Sequence, residues 1–218
     1  MEKIFVSIDG PTASGKTTLG AGVASRLGAA FLDTGLTFRV LAYALARDEL
    51  HPEGDWRSSI EHRPLVYRAR GDRLVDQEIV LYQGKDVTAE IWDVGLEDNL
   101  RLVAGNPAWR AEILRLHRDI VATYQRLVTV GRDVATTLLP AAALNVYLTA
   151  SLVVRRERRR AQRGGVPSRS VAVGRATERD LETRIAIRAM PNALDIDSTN
   201  LPAIAVLSRT LRKLGMDQ

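Results

Sequence analysis

The chain of 218 residues carries 31 basic and 26 acidic side chains, a net charge of +5, with 45% hydrophobic residues and no cysteine. That length and composition fit one α/β domain with its own core and room for a small inserted module. The absence of cysteine excludes disulfides, thiol nucleophiles and thiolate-bound metals, and no run approaches the roughly 18 apolar residues of a membrane-spanning helix. Met1-Glu-Lys3 leads into a strand pattern with no charged-then-apolar leader, so a reducing cytoplasm is the expected compartment.

Lys3-Ile-Phe-Val-Ser-Ile-Asp9 reads as a buried parallel strand: short, apolar, β-branched and aromatic. Gly10-Pro-Thr-Ala-Ser-Gly15-Lys16-Thr17 follows it and fits G-x-x-x-x-G-K-[ST]. Thr17 to Leu27 then places Leu19, Val23 and Leu27 at helical spacing, with Gly28 as the stop. Strand, glycine loop and helix together give the motif its mechanism, because loop N–H groups and a helix N-terminus bind phosphate oxygens. The motif therefore implies a nucleoside triphosphate held by Gly10, Thr12, Ala13, Ser14, Gly15, Lys16, Thr17 and Thr18. Lys16 is placed to reach the β- and γ-phosphates, and the Thr17 hydroxyl to ligate Mg²⁺.

Ala29 to Asp33 predicts a second strand, ending in Thr34-Gly35, and Leu36 to Arg47 a helix. Residues 48–55, with Pro52 and Gly54, read as a loop. Between 65 and 90 the pattern changes to short antiparallel strands, at Leu65 to Arg70, Leu74-Val75 and Glu78 to Gln83, a small sheet expected at the edge of the molecule. Two helices are expected over 88–103 and 106–127, split by Gly105-Asn106-Pro107, the second with an apolar stripe of Ile113, Leu116, Ile120 and Tyr124. Leu127 to Val130 is a strand opening onto Gly131-Arg132-Asp133, and Leu144 to Leu148 another. An Arg-rich helix, a Gly164-Gly165 loop, a helix over 178–190, a strand over 193–196 and a closing helix over 201–214 complete the chain. The alternation indicates a mostly parallel sheet covered on both faces.

Arg155, Arg156, Arg158, Arg159, Arg160 and Arg163 crowd into nine residues, and Arg169, Arg175, Arg179, Arg184 and Arg188 follow. Such a cluster seeks phosphate. Aromatic residues to stack nucleobases are missing beyond Tyr147, so a nucleotide is a better partner than nucleic acid. For any single arginine the alternative is a solvated helix face. The chain lacks the Asn-Lys-x-Asp base-reading motif of GTPases. Asp133, past the carboxyl end of a strand, reads as a metal- or substrate-facing carboxylate, the alternative being a helix cap.

Several segments together resemble bacterial cytidylate kinases: Ile8-Asp9-Gly10-Pro11, Leu32-Asp33-Thr34-Gly35 with Phe38-Arg39, Asp86-Val87-Thr88, Pro107-x-x-Arg110 and Gly131-Arg132-Asp133. Leu148-Thr149-Ala150-Ser151 with Arg155-x-x-Arg158-Arg159, and the closing segment from Asn192 to Leu201, extend the similarity over nearly the whole chain. The resemblance implies an α/β nucleoside-monophosphate-kinase fold in one domain, its core formed by 1–35, 127–154 and 190–218. It implies an acceptor-binding region over 36–126 and an Arg-rich lid over about 155–180. The implied reaction moves the γ-phosphoryl of ATP, with Mg²⁺, to CMP or dCMP. Catalysis would fall to Lys16, Arg132, Asp133, Arg155 and Arg159, with Arg158 on ATP. The acceptor would meet Asp33, Thr34, Arg39, Arg101, Arg110, Arg132 and Asp133, with Asp180 and Arg184 standing in for a family motif that is altered here. A monomer acting on small molecules, without membrane or nucleic acid, is expected.

Four departures touch the acceptor side. Arg101 stands where family members carry Ser, Ala135 replaces a Gly, Phe38 replaces a Tyr, and 175–184 departs from the family's Arg-Asp-x-x-Asp-Ser-x-Arg. Donor chemistry thus reads as intact and acceptor recognition as eroded. Two alternatives follow: the same fold with a shifted acceptor, and a non-catalytic nucleotide- or nucleic-acid-binding relative.

Overall fold

A computed structural model describes residues 3–47, 56–67, 78–162 and 178–216. In chain order its elements are β1 (Ile4–Asp9), α1 (Lys16–Leu27), β2 (Ala30–Asp33), α2 (Gly35–Leu45), β3 (Ile60–Arg63), β4 (Leu65–Val66), β5 (Ile79–Tyr82) and β6 (Lys85–Asp86). There follow α3 (Glu97–Gly105), α4 (Pro107–Ala122), β7 (Arg126–Gly131), α5 (Val134–Thr137), β8 (Leu144–Thr149), α6 (Leu152–Gln162), α7 (Glu178–Arg188), β9 (Ala193–Asp197) and α8 (Ala203–Lys213).

The expected doubly covered sheet is present, in the order β4-β2-β7-β1-β8-β9, parallel except for β4. β1 lies near its centre, and the two-residue period sends its side chains to opposite faces. Val6 and Ile8 join Val128, Val130, Val146, Leu148 and Ile196 beneath α1 and α8. Each such burial is worth about 1.5–3 kcal/mol, so this layer dominates the stability of the sheet. Phe5 points the other way, toward Val121 on α4 and Leu138. On that second face Tyr147 and Ala135 pack with Ile187 of α7.

The second face also carries a polar row. Ser7 is in register with Thr129 on one side and Asn145 on the other, and all three are buried. Ser7 Oγ donates to Asn145 Oδ1 at 2.6 Å, while Thr129 Oγ1 has no partner among the described residues.

Residues 65–90 depart from the sequence reading. Leu65–Val66 does not join a separate sheet; it pairs antiparallel with β2 at the edge of the main one. The small sheet is instead β3-β5-β6, and β3 was not expected. Ile60 and His62 face inward and Glu61 and Arg63 outward, an alternation hidden by three polar residues in four. The expected strand around Leu74-Val75 lies outside the described residues. The helix expected over 88–103 is two single 3₁₀ turns followed by α3. The Asp93 side chain accepts the Gly95 N–H at 2.8 Å, a local turn that competes with helix. α4 begins where Asn106 Oδ1 caps the N–H groups of Ala108 and Trp109, with Pro107 in its first turn, and ends at Ala122 rather than 127. No helix among the described residues is long and apolar enough to cross a membrane.

α2, α3, α4 and the small sheet enclose a second apolar cluster around Val40, Leu41, Val80, Ile91 and Ile113. A polar seam crosses it. Thr37 Oγ1 meets His62 Nδ1 at 3.0 Å and His117 Nε2 at 2.9 Å, and His62 Nε2 meets Glu78 Oε1 at 3.0 Å. Burial lowers His62 to about 4, against the pull of the Asp33 charge, and lowers His117 to about 3 with a small push from His62.

Two outcomes are expected. Asn145→Ala strands the buried Ser7 hydroxyl and should cost about 1–3 kcal/mol in urea unfolding; an unchanged midpoint would show that the polar row contributes nothing. The second concerns pH. Both imidazoles stay neutral in the folded chain, whereas the unfolded chain protonates them below about 6.5. The contribution of the two rings is therefore complete above pH ~6.5 and is lost as pH falls from there toward about 4, by up to about 1.4 kcal/mol per unit for each ring. The buried Asp9 and Glu78 carboxyls, both raised by burial, act in the opposite direction. Urea unfolding of the wild type and of His117→Gln at pH 7 and pH 5 isolates one ring: the wild type should lose about 2 kcal/mol more than the variant between the two pH values, and equal losses would contradict the burial.

Candidate active site

Residues 10–17 leave the carboxyl end of β1 and close against β8. Gly10 has φ +148°, and a Cβ there would sit 2.0 Å from the Leu148 carbonyl oxygen, so only glycine allows this approach. Ala13 is also left-handed, at φ 62°. That conformation costs an alanine about 1–2 kcal/mol, strain of the kind found in ligand loops. Gly15 caps α1, Lys16 Nζ folds back to donate to the Pro11 carbonyl at 2.9 Å, and Ser14 Oγ is buried without a hydrogen-bond partner among the described residues. Thr17 and Thr18 are exposed in the first turn of α1. Thr17 Oγ1 donates to Asp33 Oδ2 at 3.1 Å, which joins β2 to the loop.

Three arginines converge on the same loop. Arg132 Nη2 donates to Thr12 Oγ1 at 2.5 Å, and Arg155 Nη1 to the Thr12 carbonyl at 3.3 Å. Arg158 Nη1 donates to the Ser14 carbonyl at 3.0 Å and to Ser198 Oγ at 3.0 Å, while Nη2 reaches the Ser198 carbonyl at 2.9 Å. Arg155 is 4% exposed; burial lowers its pKa, opposed by the Asp180 charge, and its Nε donates to the Ala150 carbonyl. Asp180 is buried and pairs with Arg132 at 3.4 Å. Arg159 is half-buried on the same helix. Burial brings Lys16 down to about 8, with Arg132 adding to the effect and Asp33, Asp9 and Asp180 opposing it.

Asp9 is the residue that the sequence reading left as a mere strand end. Its Oδ1 accepts the Val134 N–H at 2.7 Å and its Oδ2 the Ala135 N–H at 2.8 Å. Burial pushes its carboxyl up to about 7 despite those two bonds. Ala135 lies in α5 without a positive φ, so the methyl group that replaces the family's glycine is accommodated here. Asp133 precedes α5, and its carbonyl accepts the Thr136 and Thr137 hydroxyls, but its side chain makes no cap hydrogen bond. The carboxylate instead pairs with Arg110 Nη2 at 2.5 Å.

The acceptor-side residues are spread over α2 to α4 and α7. Arg110 also stacks on Phe38, 5.7 Å from the ring centroid, so the aromatic face is used without a tyrosine hydroxyl. Arg39 lies 4.4 Å from the centroid of the Trp92 ring, 3.7 Å from Glu97 and 3.4 Å from the Ile91 carbonyl oxygen. Glu97 and Trp92 went unremarked in the sequence because nothing local marks a partner that folding supplies. Thr34 Oγ1 donates to the Val130 carbonyl and is buried. Arg101 is 62% exposed in its side chain and pairs with Asp98. Arg184 is held by Asp195 at 3.0 Å and lies 5.6 Å from the Tyr147 centroid. Residues 163–177, with the Gly164-Gly165 loop of the expected lid, lie outside the described residues.

A family profile described as cytidylate kinase matches residues 6–215. Among relatives, a cytidylate kinase of Chloroflexus aggregans is 34% identical over 93% of this chain and 84% of its own length. One from Corynebacterium diphtheriae is 33% identical over 91% and 82%, and one from Geobacillus kaustophilus 33% identical over 96% and 95%. The fold is shared with a gluconokinase from Sinorhizobium meliloti (TM-score 0.52, 16% identity, 98% of this chain and 92% of that one). It is shared too with a Deinococcus radiodurans tunicamycin resistance protein (TM-score 0.51, 17% identity, 99% and 98%). With a profile that spans most of its residues and relatives at these identities over most of their length, the chain belongs to the cytidylate kinase family.

Proposed function

We propose that this chain is an ATP-dependent nucleoside monophosphate kinase that transfers the γ-phosphoryl group to CMP or dCMP, giving ADP and CDP or dCDP. The observation that carries the reading is the Gly131-Arg132-Asp133 turn. Arg132 rests on Thr12 of the phosphate loop and Asp133 on Arg110 of α4, so a single turn joins the donor loop to the acceptor-side helices. We read 36–126 as the acceptor region, about 155–180 as the lid, and the whole as one cytoplasmic, monomeric domain that uses small molecules.

The loop fits nucleotide phosphates. The close backbone approach at Gly10, the unpartnered Ser14 hydroxyl and the Lys16 ammonium place small size, a donor and a charge together. Thr17 Oγ1 and the Asp33 carboxylate, 3.1 Å apart, are the hard oxygen donors that a Mg²⁺ ion takes. Bound MgATP supplies the transferable phosphoryl group and a divalent counter-charge. Lys16, Arg132, Arg155 and Arg158 hold positive charge around the loop, where a loose phosphoryl transition state spreads negative charge over its equatorial oxygens. A phosphate monoester is already an anionic nucleophile near neutral pH, its second pKa being about 6, so no side chain has to remove a proton.

One observation favours a second reading, a shifted acceptor. Arg184, the proposed substitute for a family phosphate contact, is engaged by Asp195, and Arg101 by Asp98.

The deciding experiment is a coupled ADP-release assay with Mg-ATP and CMP, dCMP, UMP, AMP or GMP, against a control without acceptor. CMP or dCMP should exceed the others by at least about tenfold, a difference of 1.4 kcal/mol in transition-state binding. Preference for another acceptor would support the second reading. ATP binding without turnover on any of them would overturn the kinase assignment. Lys16→Ala should lower kcat by about 10²–10³, the cost of one charged donor at the transferring group; near-normal turnover would remove Lys16 from the donor site.

A further inference from the structure

Where the two sheets meet, a buried carboxyl group takes no part in the chemistry described above. Glu78 precedes β5 and is 9% exposed. Its Oε1 accepts the Asp33 N–H at 2.8 Å and lies 3.0 Å from His62 Nε2. One assignment of protons satisfies the seam that continues from it. His117 Nε2–H donates to Thr37 Oγ1, the Thr37 O–H donates to His62 Nδ1, and His62 Nε2–H donates to Glu78 Oε1. The residue whose peptide Glu78 holds is the one whose carboxylate accepts from Thr17 Oγ1 and, at 3.0 Å, from the Gly35 N–H.

We propose that Glu78 is a positioning residue for phosphoryl transfer: it fixes the Asp33 main chain so that the Asp33 carboxylate stays on Thr17, and through His62, Thr37 and His117 it locks that turn to α2 and α4. The proposal rests on the kinase reading above, because α2 and α4 carry Arg39 and Arg110. Packing alone does not account for a carboxyl here. A buried ionisable group is costly, and an apolar side chain of similar volume commonly packs as well or better. What the carboxyl adds is direction: one oxygen takes two donors from two different elements. Burial, with the Asp33 charge adding, pushes the Glu78 carboxyl well above the ordinary carboxylate range. Oε1 accepts both bonds whether or not Oε2 carries a proton, so the clamp does not depend on that titration.

The test uses the full chain with Glu78→Gln, which keeps the Oε1 acceptor, and Glu78→Met, which keeps the volume and loses it. Three quantities are read: kcat with CMP and Mg-ATP, the thermal midpoint, and hydrogen–deuterium exchange of the peptide spanning residues 32–36. Glu78→Met should stay folded at the assay temperature. It should lower kcat about tenfold or more, since displacement of a positioned group by about 1 Å can cost up to 10². Its exchange over 32–36 should quicken about tenfold, the effect of losing a hydrogen bond worth about 1–1.5 kcal/mol. Glu78→Gln should restore both to within about threefold, within the spread of a single hydrogen bond's contribution. Glu78→Met with wild-type kcat and wild-type exchange would overturn the proposal and leave Glu78 a packing residue. If Glu78→Met does not fold, Glu78→Gln decides: loss of kcat there with a normal midpoint contradicts the acceptor role. Absence of turnover by the wild-type chain would sink the kinase reading instead, while the exchange of 32–36 would still decide whether Glu78 clamps the turn.

Discussion

The buried Asp9 carboxylate is the interaction on which the arrangement of the site depends. It ends β1 and receives one N–H on each oxygen from the first residues of α5. Burying a carboxylate unpaired would cost several kcal/mol, and the two N–H bonds offset part of that, though burial still prevails and holds the Asp9 carboxyl up at about 7. The bonds are short and bidentate, so they set an orientation as well as an energy. Because Gly10 follows Asp9 and Asp133 precedes Val134, both loops leave this one clamp in a fixed relation. The turn has no room to relax around it: a Cβ on Gly131 would lie 2.5 Å from Val134 Cγ2 and 2.6 Å from Thr34 Oγ1. Arg132 reaches Thr12 because the clamp sets where its backbone starts.

A loop that gathers cations must also keep them from repelling one another. Unlike an ammonium, a guanidinium has five N–H groups in a plane and can be held by several neutral carbonyls at once. Arg155 and Arg158 are held in this way, by the carbonyls of Ala150, Thr12, Ser14 and Ser198. Arg132 uses the Asp180 carboxylate instead. Burial lowers Lys16 most; among its charged neighbours Arg132 lowers it further, while Asp33, Asp9 and Asp180 raise it. The wells of positive and negative charge are interleaved at the carboxyl ends of the strands, where open parallel sheets bind ligands.

The alternating elements and the phosphate loop were legible in the sequence because each rests on local pattern: the 3.6- and 2-residue periods, the Gly105-Asn106-Pro107 break, Gly10 and Gly15 at fixed offsets. β3 was not, since Ile-Glu-His-Arg shows only one apolar residue and its partner strand lies well along the chain. Leu65–Val66 reads as a strand correctly, but nothing in two residues says which sheet they join. The roles of the arginines came from the resemblance to the family, and three of them, Arg132, Arg155 and Arg158, do meet the loop. Their partners were not legible. Glu97 beneath Arg39, Asp195 beneath Arg184 and Ser198 beneath Arg158 are ordinary polar residues until folding brings them within reach. The seam from Glu78 to His117 joins residues up to 80 apart in the chain, and no spacing rule announces it.

The ion pairs differ in how they hold each arginine. Arg110 and Asp133 are each about one-quarter exposed, so water screens the pair only in part, and the Phe38 ring lies against the guanidinium from a second side. Asp180 is 1% exposed, so its pair with Arg132 at 3.4 Å offsets part of the desolvation of a buried carboxylate. The Arg132 side chain is itself 45% exposed and keeps N–H groups turned to solvent. Arg184 is held differently, since Asp195 is shared with Arg188 and α7 meets β9 through two guanidiniums on one carboxylate. The Gly131-Arg132-Asp133 turn thus sets one guanidinium on the phosphate loop and holds another from α4, while the altered segment on α7 is tied to β9 through Asp195.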